Sequence, residues 1–162
     1  HCVTRRQRQM CIRDSLYHGR VDRRKGILDL LMALNLLKNS LPLRLIVSGI
    51  GPDLQSSMDL ADKLKLNHMV EFTGKVEYSE VPNVYMSSDV FLSPTWSEGF
   101  SNTILEAMSS GIPIIAARSV GVVDCIRHME NGLLHKPGKV EDLADKIRLL
   151  IESPELRKKI AL

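Results

Sequence analysis

Glu98 and Glu106 bracket the segment SEGFSNTILEA, in which a glycine turn runs into apolar, helix-favouring residues. If a helix begins near Ser101, the amides of Phe100, Ser101, Asn102 and Thr103 lie at its positive end. Free N–H donors and the helix dipole favour an anion there. Gly99 has no side chain to keep a phosphate away. Carboxylates beside such a site repel phosphate, so they fit a ligand only where it presents hydroxyls; a carboxylate can accept both hydrogen bonds of a vicinal diol. The pattern fits a ligand ordered as hydroxyls, phosphates, hydroxyls, which is the order in a nucleotide sugar. The plainer reading is a solvated helix face, with Thr103 and Glu106 forming a capping box.

Cations able to meet the phosphates stand in GRVDRRKG, where Gly19 permits a tight exit from a strand and Arg20 and Lys25 project charge; the default for both is a surface role. SGIGPD, with Gly49 and Gly51, lacks the third glycine of a dinucleotide fingerprint and reads as a turn and helix cap. No G-x-x-x-x-G-K-[ST] occurs, which counts against a P-loop enzyme. His68, His128 and His135 have no metal-ligand spacing with one another or with Cys125, so no metal is expected. Trp96 falls on the crevice side, with rim packing favoured over ligand stacking. His18 is placed either to reach phosphate or to serve the structure, and Met58 and Met86 read as core.

These residues need a scaffold, and the chain supplies one by alternating short apolar runs with amphipathic segments, the signature of β-α units around a parallel sheet. The end of a first strand is expected at Leu16–His18, and further strands at LRLIVSG (buried on both faces), MVEFTG, DVFLSP, IPIIAA and NGLLH. Between them, Ile27, Leu30, Leu31, Leu34 and Leu37 share one helix face, and Pro52–Asp53 open a helix carrying Leu54, Met58, Ala61 and Leu64. A short helix spans Val81 to Met86. The helix near Ser101 ends at Gly111 and Pro113. Weaker signals place a helix over Val123 to Met129, then an amphipathic one over Val140 to Glu152 and a last one from Pro154. The fold class is α/β: a doubly wound, Rossmann-like parallel sheet of order 3-2-1-4-5-6, in which ligands bind beyond the carboxyl ends of the strands.

The net charge of +3 invites a nucleic-acid partner, but it resides wholly in residues 1–15; Leu16 to Leu162 carry 18 basic and 18 acidic side chains, so no nucleic acid is expected. That leader shows no periodicity and holds two of the three cysteines. MCIRDS back-translates to a sequence resembling a transposase adapter, so residues 1–15 are expected to be non-native or disordered, and 16–162 to form one domain. Cys125 is then the only native cysteine, which points to a reducing compartment and a cytoplasmic location. No apolar run is long enough to span a bilayer.

In order, GRVDRRKG, LRLIVSGIGPD, VEFTGKV, VYMSSDVFLSPTWSEGFSNTILEAMSSGIPIIA and NGLLHKPG resemble the family 4 glycosyltransferases, retaining enzymes of GT-B fold. The likeness covers almost all of residues 16–162 and matches only the C-terminal, donor-binding half. It implies that the full enzyme transfers a hexose from a nucleoside diphosphate sugar to a hydroxyl, with no further cofactor. Arg20 and Lys25 would clamp the diphosphate, Glu98 would hold the sugar, Glu106 would hold the ribose, Gly19, Gly99 and the amides from Phe100 to Thr103 would line the donor, and Lys75 and Val76 would lie near the base. The acceptor-binding half, and any membrane association, would lie outside this chain, which alone should transfer nothing. Ser101 replaces the glycine common in the family, Ile50 an acidic residue and Val123 a proline. The alternatives are another GT-B enzyme, such as a nucleotide-sugar epimerase, or a nucleotide-binding module without catalysis.

Overall fold

A computed structural model describes residues 13–97, 99 and 101–161. The first twelve residues of the expected leader, and the site residues Glu98 and Phe100, lie outside the described residues. Among the described residues six parallel strands form one sheet: β1 (Arg13–His18), β2 (Leu43–Ser48), β3 (Val70–Gly74), β4 (Val90–Ser93), β5 (Ile114–Ala117) and β6 (Leu133–His135). Their order is β3-β2-β1-β4-β5-β6, as the sequence predicts. Among the described residues seven α-helices connect or follow them: α1 (Ile27–Leu37), α2 (Leu54–Lys63), α3 (Val81–Met86), α4 (Asn102–Ser109), α5 (Val120–Val123), α6 (Val140–Glu152) and α7 (Pro154–Ile160).

Alternating strand residues feed two cores, which is what covering a sheet on both faces requires. On one face, Leu45, Val47, Leu92, Ile115 and Leu133 pack with Leu30, Leu34, Ala61, Leu143 and Ile147 from α1, α2 and α6. On the other, Leu16, Phe91, Ile114 and Ala116 meet Tyr85 of α3, Ile104 and Ala107 of α4 and Val122 of α5. Among the described residues no helix is long and apolar enough to cross a membrane.

Several boundaries differ from expectation. β1 begins at Arg13, inside the segment expected as leader: Arg13, Asp14 and Ser15 pair in register with Leu43, Arg44 and Leu45. The Asp14 amide also donates to the Asp89 carboxylate at 2.8 Å. These polar residues carry no apolar signal, which hid the start of the strand. β2 is not buried on both faces, because Arg44 is exposed and ion-pairs with Glu71 of the edge strand at 2.5 Å. Met58 and Met86 are not core: they are 39% and 72% exposed, since α2 buries Ser57 and Ala61, and α3 buries Tyr85, on the inward faces. The helix expected over Val123 to Met129 is instead the single turn α5. Past it Asn131 takes over, its side chain accepting from the Arg127 amide at 2.6 Å and donating to the Cys125 carbonyl at 2.9 Å. Met129 then adopts a left-handed φ of 68°, and β6 starts only at Leu133.

Candidate functional site

The crevice beyond the strand ends is built first from backbone. The Gly19 amide donates to the Ser48 carbonyl at 2.9 Å and the Gly49 amide to the Gly74 carbonyl at 2.8 Å, tying together the exits of β1, β2 and β3. Gly49 has φ +137°, and a Cβ there would lie 1.9 Å from the Gly19 carbonyl oxygen, so no other residue fits beneath that turn. Gly26 (φ +80°) similarly lets the β1–α1 connection close on β4, with a hypothetical Cβ only 2.0 Å from the Pro94 oxygen.

Two aspartates then shape the basic turn between β1 and α1. Asp22 caps the 3₁₀ turn Arg23–Lys25, accepting from the Arg24 amide at 2.9 Å and from Arg20 Nε at 3.4 Å. The Arg24 amide, ahead of the neighbouring guanidinium groups, keeps its carboxyl below the usual range. Asp53 accepts from the Arg23 amide at 2.7 Å and from Arg23 Nη2 at 3.0 Å. GIGPD is thus a turn whose aspartate fixes Arg23, and that carboxylate makes no capping bond to α2.

Between the ends of β1 and β4 lies a cavity of about 250 Å³ that brings together Gly19, Arg20 and Lys25 with Ser101, Asn102 and Thr103. Ser101 is the N-cap of α4, its hydroxyl accepting from the Ile104 amide at 3.3 Å. Ser101, rather than a Thr103–Glu106 capping box, opens the helix. The start of α4 and two cations therefore face one space, an arrangement that favours an anion.

Glu106 lies one turn further along α4, in an adjoining groove of about 840 Å³ lined also by Tyr78, Val81, Tyr85 and Leu105; Asn102 borders both spaces. The Tyr85 hydroxyl donates to Glu106 Oε2 at 2.8 Å and lies 3.2 Å from the Thr103 carbonyl. Burial, reinforced by Glu106, pushes the phenol far above its ordinary range. His18 packs edge-on against the Tyr85 ring, centroids 5.5 Å apart, with Nδ1 2.9 Å from the Ser48 hydroxyl. Burial lowers the pKa of its imidazole, against the opposing pull of Glu106. Sequence reasoning missed Tyr85; the available signal was a tyrosine on the apolar side of a short helix, whose buried hydroxyl requires a partner.

The remaining expected residues do not converge on the cavity. Lys75 is exposed on the turn after β3. Val76 lines a separate depression of about 250 Å³ with Ser48, Glu71 and Thr73. Gly99 is exposed, between two residues outside the description. Trp96 is 49% exposed at the rim, its indole N–H donating to Asp29 Oδ2 at 2.5 Å. Among the described residues no group of three His, Cys, Asp or Glu side chains is placed to hold a metal ion.

Comparison with known proteins identifies the family of this chain. The chain matches the family described as Glycosyl transferases group 1 over residues 13–161, and it belongs to that family. It is 38% identical over 138 residues to the sulfoquinovosyl transferase SQD2 of Arabidopsis thaliana, covering 83% of this chain and 26% of that protein. Its fold matches HepE of Anabaena, solved in complex with UDP, with a TM-score of 0.86 and 25% identity over 97% of this chain and 44% of that one. An isolated C-terminal domain of a group 1 glycosyl transferase, LpcC of Francisella tularensis, matches with a TM-score of 0.81 and 30% identity, over 91% of this chain and 79% of that one. The chain thus spans about a quarter of the plant relative and less than half of HepE. The fold is the doubly wound unit of GT-B glycosyltransferases.

Proposed function

We propose that this chain is the donor-binding half of a retaining glycosyltransferase. The whole enzyme would transfer a hexose from a nucleoside diphosphate to the hydroxyl of an acceptor held by a second, N-terminal domain. The observation that carries this reading is the convergence of Arg20 and Lys25 with the start of α4 in one cavity, and of Glu106 in the groove next to it. The cavity takes the diphosphate. Arg20 and Lys25 stabilise negative charge as it develops on the leaving nucleotide, which is where fixed cations accelerate bond cleavage without a metal. Glu106, whose carboxylate accepts from the Tyr85 hydroxyl, holds the ribose diol. Glu98 and the Gly99–Phe100 turn hold the transferred sugar, and the Lys75–Val76 turn lies near the base.

Uridine is the favoured nucleoside, because HepE is solved with UDP and with UDP-glucose. Alone, this half binds nucleotide weakly and transfers nothing, since the acceptor and half of the closed crevice belong to the other domain. A reducing, cytoplasmic setting accords with Cys125, a free cysteine.

Isothermal titration of the chain with UDP, GDP and UDP-glucose tests the reading. UDP should bind, and Glu106→Ala should weaken it by about tenfold, the worth of a charged hydrogen-bond acceptor. Absence of UDP and GDP binding, or unchanged affinity in Glu106→Ala, would overturn it.

A further inference from the structure

His18 is the last residue of β1 and forms part of the wall of the anion cavity, next to Gly19, Arg20 and Lys25. Strand alternation turns its side chain to the same face of the sheet as Leu16, toward α3 and α4. There the imidazole packs edge-on against Tyr85, and the Glu106 carboxylate is close enough to act on its charge. One bond orients the ring: Nδ1 lies 2.9 Å from the hydroxyl of Ser48, the residue paired with His18 on β2. The two nitrogens of an imidazole point apart, so a ring whose Nδ1 faces β2 directs Nε2 away from that strand. β1 has β2 on one side and β4 on the other, and the cavity lies on the β4 side, against Phe91, Leu92 and Ser93. Nε2 is therefore turned toward the space that also receives Arg20, Lys25 and the start of α4.

A diphosphate oxygen only accepts hydrogen bonds, and an imidazolium only donates them, from both nitrogens at once. Burial favours the neutral ring of His18, and Glu106 opposes it. An anion in the cavity would add to the pull of Glu106 and favour the charged ring.

We propose that His18 is a third donor to the diphosphate, which it meets as an imidazolium, giving its Nε2 proton to a hydrogen bond with a phosphate oxygen while Ser48 accepts from Nδ1. The proposal rests on the donor-binding reading above and adds a titrating residue to that site. One proton passes from solvent to the imidazole when the ligand binds, and no covalent bond forms. The bound ring charges at a higher pH than the free one, so affinity rises as pH falls between those two values and levels off below them. Among the described residues, the other charged or titratable groups facing the ring are Arg20 and Lys25 across the cavity, Tyr85 on α3 and Glu106 on α4; β2 presents the neutral Ser48. Protonating Glu106 would remove a ribose acceptor and weaken binding on acidification, which is the opposite sign.

Calorimetric titration of this chain with UDP-glucose and with uridine at pH 5.5 and 7.5, each in two buffers of different ionisation enthalpy, decides it. UDP-glucose is the probe because its diphosphate is esterified at both ends, whereas a terminal phosphate such as that of UDP titrates itself, at about pH 6. UDP-glucose should bind about tenfold more tightly at pH 5.5, the worth of one charge-assisted hydrogen bond, and should take up a proton, seen as a buffer-dependent enthalpy. Uridine, which has no phosphate, should show neither effect. His18→Asn keeps an amide where Nδ1 meets Ser48, and His18→Gln places one where Nε2 stood; neither side chain titrates. Both variants should lose the proton uptake and the tighter binding at pH 5.5, with His18→Gln retaining more affinity than His18→Asn. A purely structural histidine would lower affinity in its variants without any proton uptake in the unaltered chain. Equal affinity of the unaltered chain for UDP-glucose at the two pH values, or a pH dependence that persists in both variants, overturns the proposal. If UDP-glucose binds without proton uptake, only the role of His18 fails; if neither UDP-glucose nor uridine binds at either pH, the donor-binding reading fails with it.

Discussion

Asn102 borders two spaces of different construction. On one side is a small cavity walled by Gly19, the cations Arg20 and Lys25 and the first residues of α4. On the other is a groove three times larger, walled by Tyr78, Val81, Tyr85 and Leu105, whose one charged side chain among the described residues is Glu106. The cavity holds the cations and is assembled from turns held by backbone bonds at Gly19 and Gly49; the groove is carried on two helices and held by a side-chain bond from Tyr85. A cationic site beside a carboxylate site would be self-defeating for one small anion. For a ligand that is phosphate at one end and diol at the other it is consistent, and on the proposed reading the boundary between the two chemistries would fall where the ribose meets the phosphates.

The contrast can be broken by variants that strike one side only. The largest effect is expected from Gly49→Ala, which forces a Cβ to within 1.9 Å of the Gly19 carbonyl. Thermal denaturation should show a loss of about 3 kcal/mol, from steric conflict and an unfavourable positive φ together. Next, Arg20→Ala with Lys25→Ala should weaken UDP about a hundredfold, as the loss of two charge-assisted contacts implies, with uridine affinity unchanged. A parallel loss for uridine would show that the two sides are not separate.

Tyr85→Phe comes next. It removes the 2.8 Å bond to Glu106. It should cost about 1 kcal/mol of stability, the usual worth of such a bond, and should weaken uridine and UDP by the same factor. Last is a pH effect at the seam. Burial depresses the pKa of His18, so the folded state keeps it neutral to a lower pH than the unfolded chain, which takes up a proton near the ordinary value of 6.5. Stability therefore falls as pH drops below about 6.5 and is unaffected by His18 above it. Chemical denaturation at pH 5.5 and 7.5 should show a smaller difference in His18→Gln than in the unaltered chain.

The two regions also differ in how far the sequence exposes them. The strand order, the helix faces of Leu30, Leu34, Leu143 and Ile147 and the cationic turn were legible, because apolar periodicity and glycine-rich strand exits are local signals. So was the helix start at Ser101, although its hydroxyl, not Thr103 with Glu106, makes the cap. The support of the groove was not legible, since the Tyr85–Glu106 bond joins residues 21 apart on different helices. Asp53 was legible as a turn residue and not as the partner of Arg23, a contact spanning 30 residues. Met58 and Met86 misled for a related reason: composition marks them as apolar, while the inward positions of α2 and α3 are taken by Ser57, Ala61 and Tyr85.

A crystal structure of this chain grown with UDP would test the central claim most directly. The account predicts the diphosphate between Arg20, Lys25 and the amides at the start of α4, with both ribose hydroxyls within hydrogen-bond distance of Glu106. A nucleotide bound with its phosphates away from Arg20 and Lys25, or with its ribose out of reach of Glu106, would contradict it.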